Sequence, residues 1–178
     1  MDIFVFGTLR SDTLRKIVLG RDMSSDDICE ATIKDFQVYW AKEGPFPVMI
    51  PEPNSEAYGL VLKNLSEPDV ERLNYYELGF DYVLATTSVE THAGQIGVSA
   101  YFCNRSDMAT TKLWSFDDWL SDHSEIQYLA AREFLDFFGT KFGDTAKVMY
   151  HSILKRAEVF VSESSTPSSA IEIGPDLN

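Results

Sequence analysis

This 178-residue sequence predicts an α+β fold: a small mixed β-sheet or barrel with helices on its outside and a helical C-terminal extension. Three observations carry the prediction. The opening segment Asp2 to Phe6 is apolar from Ile3 onward, as a strand buried on both faces must be. Two alternating runs, 83–89 and 96–102, flank a short polar turn. Beyond Arg105 the alternation gives way to helical spacing.

After the first strand, Ser11 or Asp12 can cap a short helix that turns Leu14, Ile17 and Val18 inward, and Gly20 closes it. A polar loop over 21–27 precedes strand-like segments from Ile28 to Tyr39, interrupted at Lys34-Asp35. The loop around Gly44-Pro45-Phe46-Pro47 leads to a short apolar piece, Val48 to Ile50, which its prolines confine to an edge or a loop wall. Glu56 to Lys63 reads as a further strand, with Gly59 at a bend or close approach. Ser66-Glu67-Pro68-Asp69 starts a helix running to about Tyr76: a serine cap, proline in the first turn, acids at the positive end. In the hairpin, Val83, Ala85, Thr87 and Val89 share one face and Ile96, Val98, Ala100 and Phe102 another, joined at His92-Ala93-Gly94-Gln95. Trp114 to Leu120 and Ile126 to Phe138 come next as helices, the second aligning Ile126, Leu129, Ala130, Glu133, Phe134 and Phe137. Lys147 to Val161 fits a last helix or a strand, and 162–178, rich in Ser, Pro and acids, reads as a loose tail. The organisation expected is a domain over 1–105, a helical extension over 106–161 and the tail.

Fifteen basic residues stand against 28 acidic ones, a net charge of −13. That field repels phosphate, so nucleic acid and anionic membrane surfaces are not expected partners. A local array of N–H dipoles still accepts a small anion, because distant charges are screened. Cys29 and Cys103 lack CxxC spacing and read as small core residues in a reducing compartment, with a single disulfide between them as the lesser reading. Without a long apolar run or a signal-like start, a cytoplasmic protein is expected. His92, His123 and His151 are widely spaced and form no metal motif, and no nucleophile elbow or phosphate loop occurs, so neither metal nor cofactor is expected.

Two places carry candidate chemistry. The run Phe6-Gly7-Thr8-Leu9 takes a buried strand into a helix start, where backbone N–H groups lie unpaired and side by side. Gly7 permits the turn and a close approach, and the Thr8 hydroxyl can add a hydrogen bond or cap the next helix. An ordinary strand-to-helix turn has the same look. Glu77 shares a helical stripe with Val70 and Leu73, which carries its carboxylate to the end of a buried face, raising its pKa and its worth as a proton acceptor. If the helix stops at Tyr76, Glu77 instead turns to water. Tyr75, Tyr76 and Tyr82 can wall a pocket beside it or belong to the core.

Phe4-Val5-Phe6-Gly7-Thr8-Leu9-Arg10 resembles the V-Y-G-T-L-[KR] opening of the gamma-glutamylcyclotransferase-like proteins, which include gamma-glutamylamine cyclotransferases and plant AIG2-like proteins. Pro47-Val48, Tyr58 to Leu62, Leu73-Asn74-Tyr75-Tyr76-Glu77 with Tyr82, and Val98 to Phe102 with Tyr101 resemble further family segments in the same order, over about residues 1–105. The resemblance implies a closed mixed β-barrel flanked by helices. It implies a lyase or transferase reaction on a γ-glutamyl substrate, releasing 5-oxoproline without a cofactor. Glu77 would be the acid/base, and Phe6, Gly7, Thr8, Leu9, Tyr82 and Tyr101 would hold the substrate. Three positions depart from the pattern: Phe6 replaces a tyrosine, Asn74 an aspartate, and Leu84 an arginine. They leave open a module that binds a small carboxylate without turnover. Loops 39–47 and 76–82 would select the amine portion of the substrate. The helices after Arg105 would serve as a lid, a homodimer contact or a partner surface.

Overall fold

A computed structural model describes residues 1–77, 80, 82–103, 105–140 and 143–164. Strand β1 (Ile3–Val5) is buried along its whole length because apolar material lies on both sides. Ile3 and Val5 pack into a core shared with the helices, while Phe4 points the other way, into a core enclosed by strands. Helix α1 (Asp12–Leu19) is capped by the Ser11 side chain, which accepts from Leu14 N–H, and ends at Gly20 in the left-handed conformation (φ 72°).

Strands β2 (Ile28–Ala41) and β3 (Pro47–Leu62) form one long antiparallel hairpin, so the two broken segments expected on each side are continuous. The interruption at Lys34-Asp35 is a bulge. The register jumps from Lys34↔Glu56 to Phe36↔Pro51, and Asp35 (φ 60°) and Asn54 (φ 67°) absorb the excess. Asn54 N–H donates to Asp35 Oδ1 at 2.9 Å. The prolines stand where β3 has β2 alone as neighbour, which spares the missing N–H. At Gly59 a Cβ would lie 2.5 Å from Val5 O and 2.6 Å from the Phe4 ring, so β1 can cross there against bare backbone.

Helix α2 (Glu67–Glu77) leads to the hairpin β4 (Tyr82–Thr91) and β5 (Gly94–Cys103). The expected face of β5 turns inward. On β4, however, Val83 and Ala85 are exposed, and Tyr82 and Leu84 take the inner side at that end. A short strand not anticipated from sequence, β6 (Ala109–Leu113), joins β2, so the sheet continues past residue 105. The strand order β3-β1-β5-β4-β2 returns to β3, and these pairings make a ring, antiparallel except for β1 with β5. Between β2 and β4 the ring closes through the single pair Thr32↔Glu90. Its interior is filled by Phe4, Phe6, Ile33, Met49, Val61, Val89 and Val98.

Helices α3 (Phe116–Asp122), α4 (Ser124–Leu135) and α5 (Gly143–Ser164) complete the chain. The last segment is a helix throughout and runs three residues into the expected tail, whose remainder lies outside the described residues. Ala130, Ala131, Phe134, Tyr150 and Ile153 bury into the same core as α1 and α2, so the extension is continuous with the rest of the molecule. On α4 the inward stripe is Gln127, Ala130, Ala131, Phe134 and Leu135, rotated by about one position from the expected one. Cys29 and Cys103 are half-buried at the margins of the two cores, not inside them. No helix of the described residues is long and apolar enough to cross a membrane.

Candidate active site

Two segments far apart in sequence meet at one cleft. The first is the bend after β1. A Cβ on Gly7 would lie 2.5 Å from Pro47 Cγ, so no side chain fits there. One 3-10 turn spans Thr8–Arg10, with Arg10 N–H donating to Gly7 O and Ser11 N–H to Thr8 O, each at 3.0 Å. Among the described residues the N–H groups of Thr8 and Leu9 reach no acceptor, the usual fate of the first donors of a turn. Arg15 braces the bend from behind. Its buried guanidinium donates to Leu9 O (3.0 Å) and Arg10 O (2.6 Å) and pairs with Asp12.

The second segment is the C-terminal end of α2. The helix includes residue 77, so the stripe of Val70 and Leu73 carries Glu77 inward, where 7% of it is exposed. No hydrogen-bond partner reaches its carboxyl among the described residues, and burial alone pushes its pKa up from 4.5 to about 8. Of the neighbouring tyrosines, Tyr76 faces the cleft, while Tyr75 stacks on Phe134 in the core at 4.7 Å between ring centroids.

The cleft between them holds about 400 Å³ of atom-free space, its mouth included. Phe6, Gly7, Thr8, Leu9, Glu77, Tyr82 and Tyr101 all line it, so the residues to which the resemblance gave a role lie at one place, while Tyr75 does not. Tyr101 donates to Asn74 Oδ1 at 2.8 Å, so the amide at position 74 holds that phenol in place. Tyr82 donates to Pro47 O. Leu84 lies opposite Tyr101 on the hairpin and packs at the edge of the core. The phenols of Tyr76, Tyr82 and Tyr101 are pushed upward by burial and further by the carboxylate of Glu77, which they surround.

Sequence reasoning flagged loops 39–47 and 76–82 but not the rings they deliver. Phe46 and Phe80 meet edge to face at 5.0 Å and form the outer wall. It also missed Gln127 and Tyr150, which stand directly behind Tyr76. Gln127 Nε2 donates to Tyr76 Oη at 2.8 Å and to Tyr150 Oη. The available signal was a lone amide on the stripe of Ala130, Ala131 and Phe134.

A family model described as gamma-glutamyl cyclotransferase, AIG2-like, matches residues 3–121. AIG2-like protein A of Arabidopsis thaliana is 25% identical over 127 residues, covering 70% of this chain and 74% of that protein. Protein AIG2 A of the same plant is 24% identical over 172 residues, covering 95% and 94%. The solution structure of an Arabidopsis thaliana protein, At3g28950.1, shares the fold with a TM-score of 0.56 at 19% identity, covering 98% of this chain and 94% of that one.

Proposed function

The chain belongs to the gamma-glutamyl cyclotransferase, AIG2-like family, and from that premise we propose that it cyclises a γ-glutamyl amide or peptide, releasing 5-oxoproline and an amine. The observation that carries the reading is the meeting of Glu77, buried and without a hydrogen-bond partner among the described residues, with the donor-bearing bend Phe6 to Leu9 across one cleft.

The chemistry rests on those groups. The α-ammonium of the substrate enters beside Glu77, whose carboxylate takes a proton from it; the arriving positive charge itself favours the ionised acid. The freed amine attacks its own γ-carbonyl carbon, forming the C–N bond of a five-membered ring. The N–H groups of Thr8 and Leu9 stabilise the anionic oxygen or hold the α-carboxylate. Collapse breaks the original amide bond as Glu77 returns that proton to the leaving nitrogen, and the second proton of the ring nitrogen then passes through Glu77 to the departing amine, which leaves as its ammonium form. The aromatic wall of Phe46, Phe80 and Tyr82 keeps water from the acid during the transfer.

Purified protein is incubated with a panel of γ-glutamyl amines and dipeptides and 5-oxoproline is measured. Release by the wild type and none by a folded Glu77→Gln variant is the expected result. Undiminished release by Glu77→Gln would remove the acid from its role. Binding of 5-oxoproline or glutamate without turnover in either protein would assign the cleft to a carboxylate-binding module.

A further inference from the structure

The proposed chemistry leaves the hydroxyl groups of Tyr82 and Tyr101 without a task, yet both are set in fixed directions. Burial, and after it the carboxylate of Glu77, push their pKa values upward, so each phenol keeps a hydrogen to place. Tyr101, 5% exposed, donates that hydrogen to Asn74 Oδ1 at 2.8 Å, and Tyr82 donates to Pro47 O. Among the described residues no donor reaches either phenol oxygen in return. A phenol whose hydrogen is committed has lone pairs left and can only accept.

The same bonds say where the two oxygens stand. Asn74 precedes Glu77 by three residues on α2, and side chains at that spacing are neighbours, so the Tyr101 oxygen is held beside the acid. Pro47 packs against Gly7 and lines the cleft, so the Tyr82 oxygen is held on the side of the bend. Glu77 is the one charged side chain among the described residues that line the cleft. One anionic and two neutral acceptors match the three N–H groups of a primary ammonium, whereas a carboxylate or a carbonyl brings no hydrogen to them. Asn74 itself is exposed and does not line the cleft, so it acts through Tyr101 alone.

Building on the cyclotransferase reading, we propose that the oxygens of Tyr82 and Tyr101 accept from the α-ammonium of the substrate beside Glu77, and that Asn74 is a positioning residue that holds Tyr101 in its accepting state. The cleft thereby selects γ-glutamyl compounds with a free primary α-amine. An analogue that lacks the ammonium leaves buried acceptors unpaired.

Substitutions at the exposed position 74 test it. Asn74→Leu removes the acceptor, and the hydrogen released from Tyr101 then competes for the place of the ammonium. This variant lowers kcat/KM for 5-oxoproline release about tenfold, the effect of losing a hydrogen bond to a charged group, with the loss in KM. Asn74→Asp, which can only accept when ionised, stays within about threefold of the wild type. In a Tyr101→Phe background, Asn74→Leu costs less than about twofold further. Calorimetry with glutamate and glutarate, which differ in the ammonium group, reads the same pocket without turnover. Asn74→Leu weakens glutamate about tenfold and leaves glutarate unchanged. Equal losses from Asn74→Leu in both backgrounds, equal weakening of glutamate and glutarate, or an Asn74→Asp variant as poor as Asn74→Leu would overturn the proposal. If Asn74→Leu fails to fold, Tyr101→Phe must show the same loss for glutamate and spare glutarate. No release from any γ-glutamyl compound, together with a preference for glutamate that depends on Asn74, refutes the cyclotransferase reading and leaves the ammonium pocket standing. Release without that dependence does the opposite, and absence of both refutes both.

Discussion

Helix α2 buries a carboxylate near each end, and the two acids differ in almost every respect but depth. Asp69, 4% exposed, receives Arg21 Nε at 2.9 Å and Nη2 at 2.7 Å, together with the backbone N–H and hydroxyl of Ser66 at 2.9 and 2.7 Å. The Arg21 hydrogen bonds, foremost among these contacts, hold its pKa well below the ordinary carboxylate range. The positive end of the helix dipole favours the same ionised form. Glu77 sits at the opposite, negative end with no donor to it among the described residues, and its pKa rises to about 8. Burial does not decide what an acid does; the donors built around it do. At one end the chain has made a structural anion, and at the other a buried proton site that no donor of the described residues reaches.

The comparison can be broken most sharply at the catalytic end. Glu77→Gln is expected to cut release of 5-oxoproline by at least about a hundredfold, as loss of a general acid/base does, with the circular dichroism spectrum unchanged. At the other end, Asp69→Asn removes an ion pair and several charge-assisted hydrogen bonds, and a loss of about 2 kcal/mol in urea unfolding is expected, with kcat/KM of the folded protein retained.

Opposite slopes in pH sharpen the contrast further. Glu77 binds its proton more tightly when folded. Its contribution is therefore complete below the unfolded value of 4.5 and is lost as pH rises toward about 8. Asp69 has a depressed folded pKa, so its contribution is present above the unfolded value of 3.8 and is lost as pH falls through the folded one. Melting temperatures from pH 2 to pH 9 should show the decline between about pH 4.5 and pH 8 vanish in Glu77→Gln and the decline below about pH 4 soften in Asp69→Asn. The smallest effect is expected from Ser66→Ala, which removes the cap and one donor to Asp69 at a cost of about 1 kcal/mol and leaves product release unaltered.

Legibility in the sequence tracks the range over which each signal acts. The buried strand Ile3–Val5, the Ser11 cap and the hairpin turn at 92–93 are local patterns, and local chemistry fixes them. Glu77 was visible because a helical stripe points the same way whatever it packs against. The union of 28–41 and 47–62 into one bulged hairpin was hidden, since Lys34-Asp35 and the stretch between Ile50 and Glu56 read as breaks until a partner strand absorbs them. Which way β4 faces was likewise set by the cores that meet there, not by its alternation. Gln127 escaped because an amide on an apolar stripe has no meaning until two phenols from other helices are brought to it.

The sheet ring is sewn unevenly. The hairpins β2–β3 and β4–β5 are paired along most of their lengths, whereas β2 and β4 touch through Thr32↔Glu90, with the surface ion pair Lys34–Glu90 at 2.7 Å beside it. Such a seam is the cheapest place for the molecule to breathe, because parting it breaks few ladder bonds. The Gly7 bend and Glu77 lie away from it, toward β1 and α2. Amide exchange should run faster at Thr32 and Glu90 than along the β2–β3 ladder, and slow conformational loosening there would leave the chemistry undisturbed.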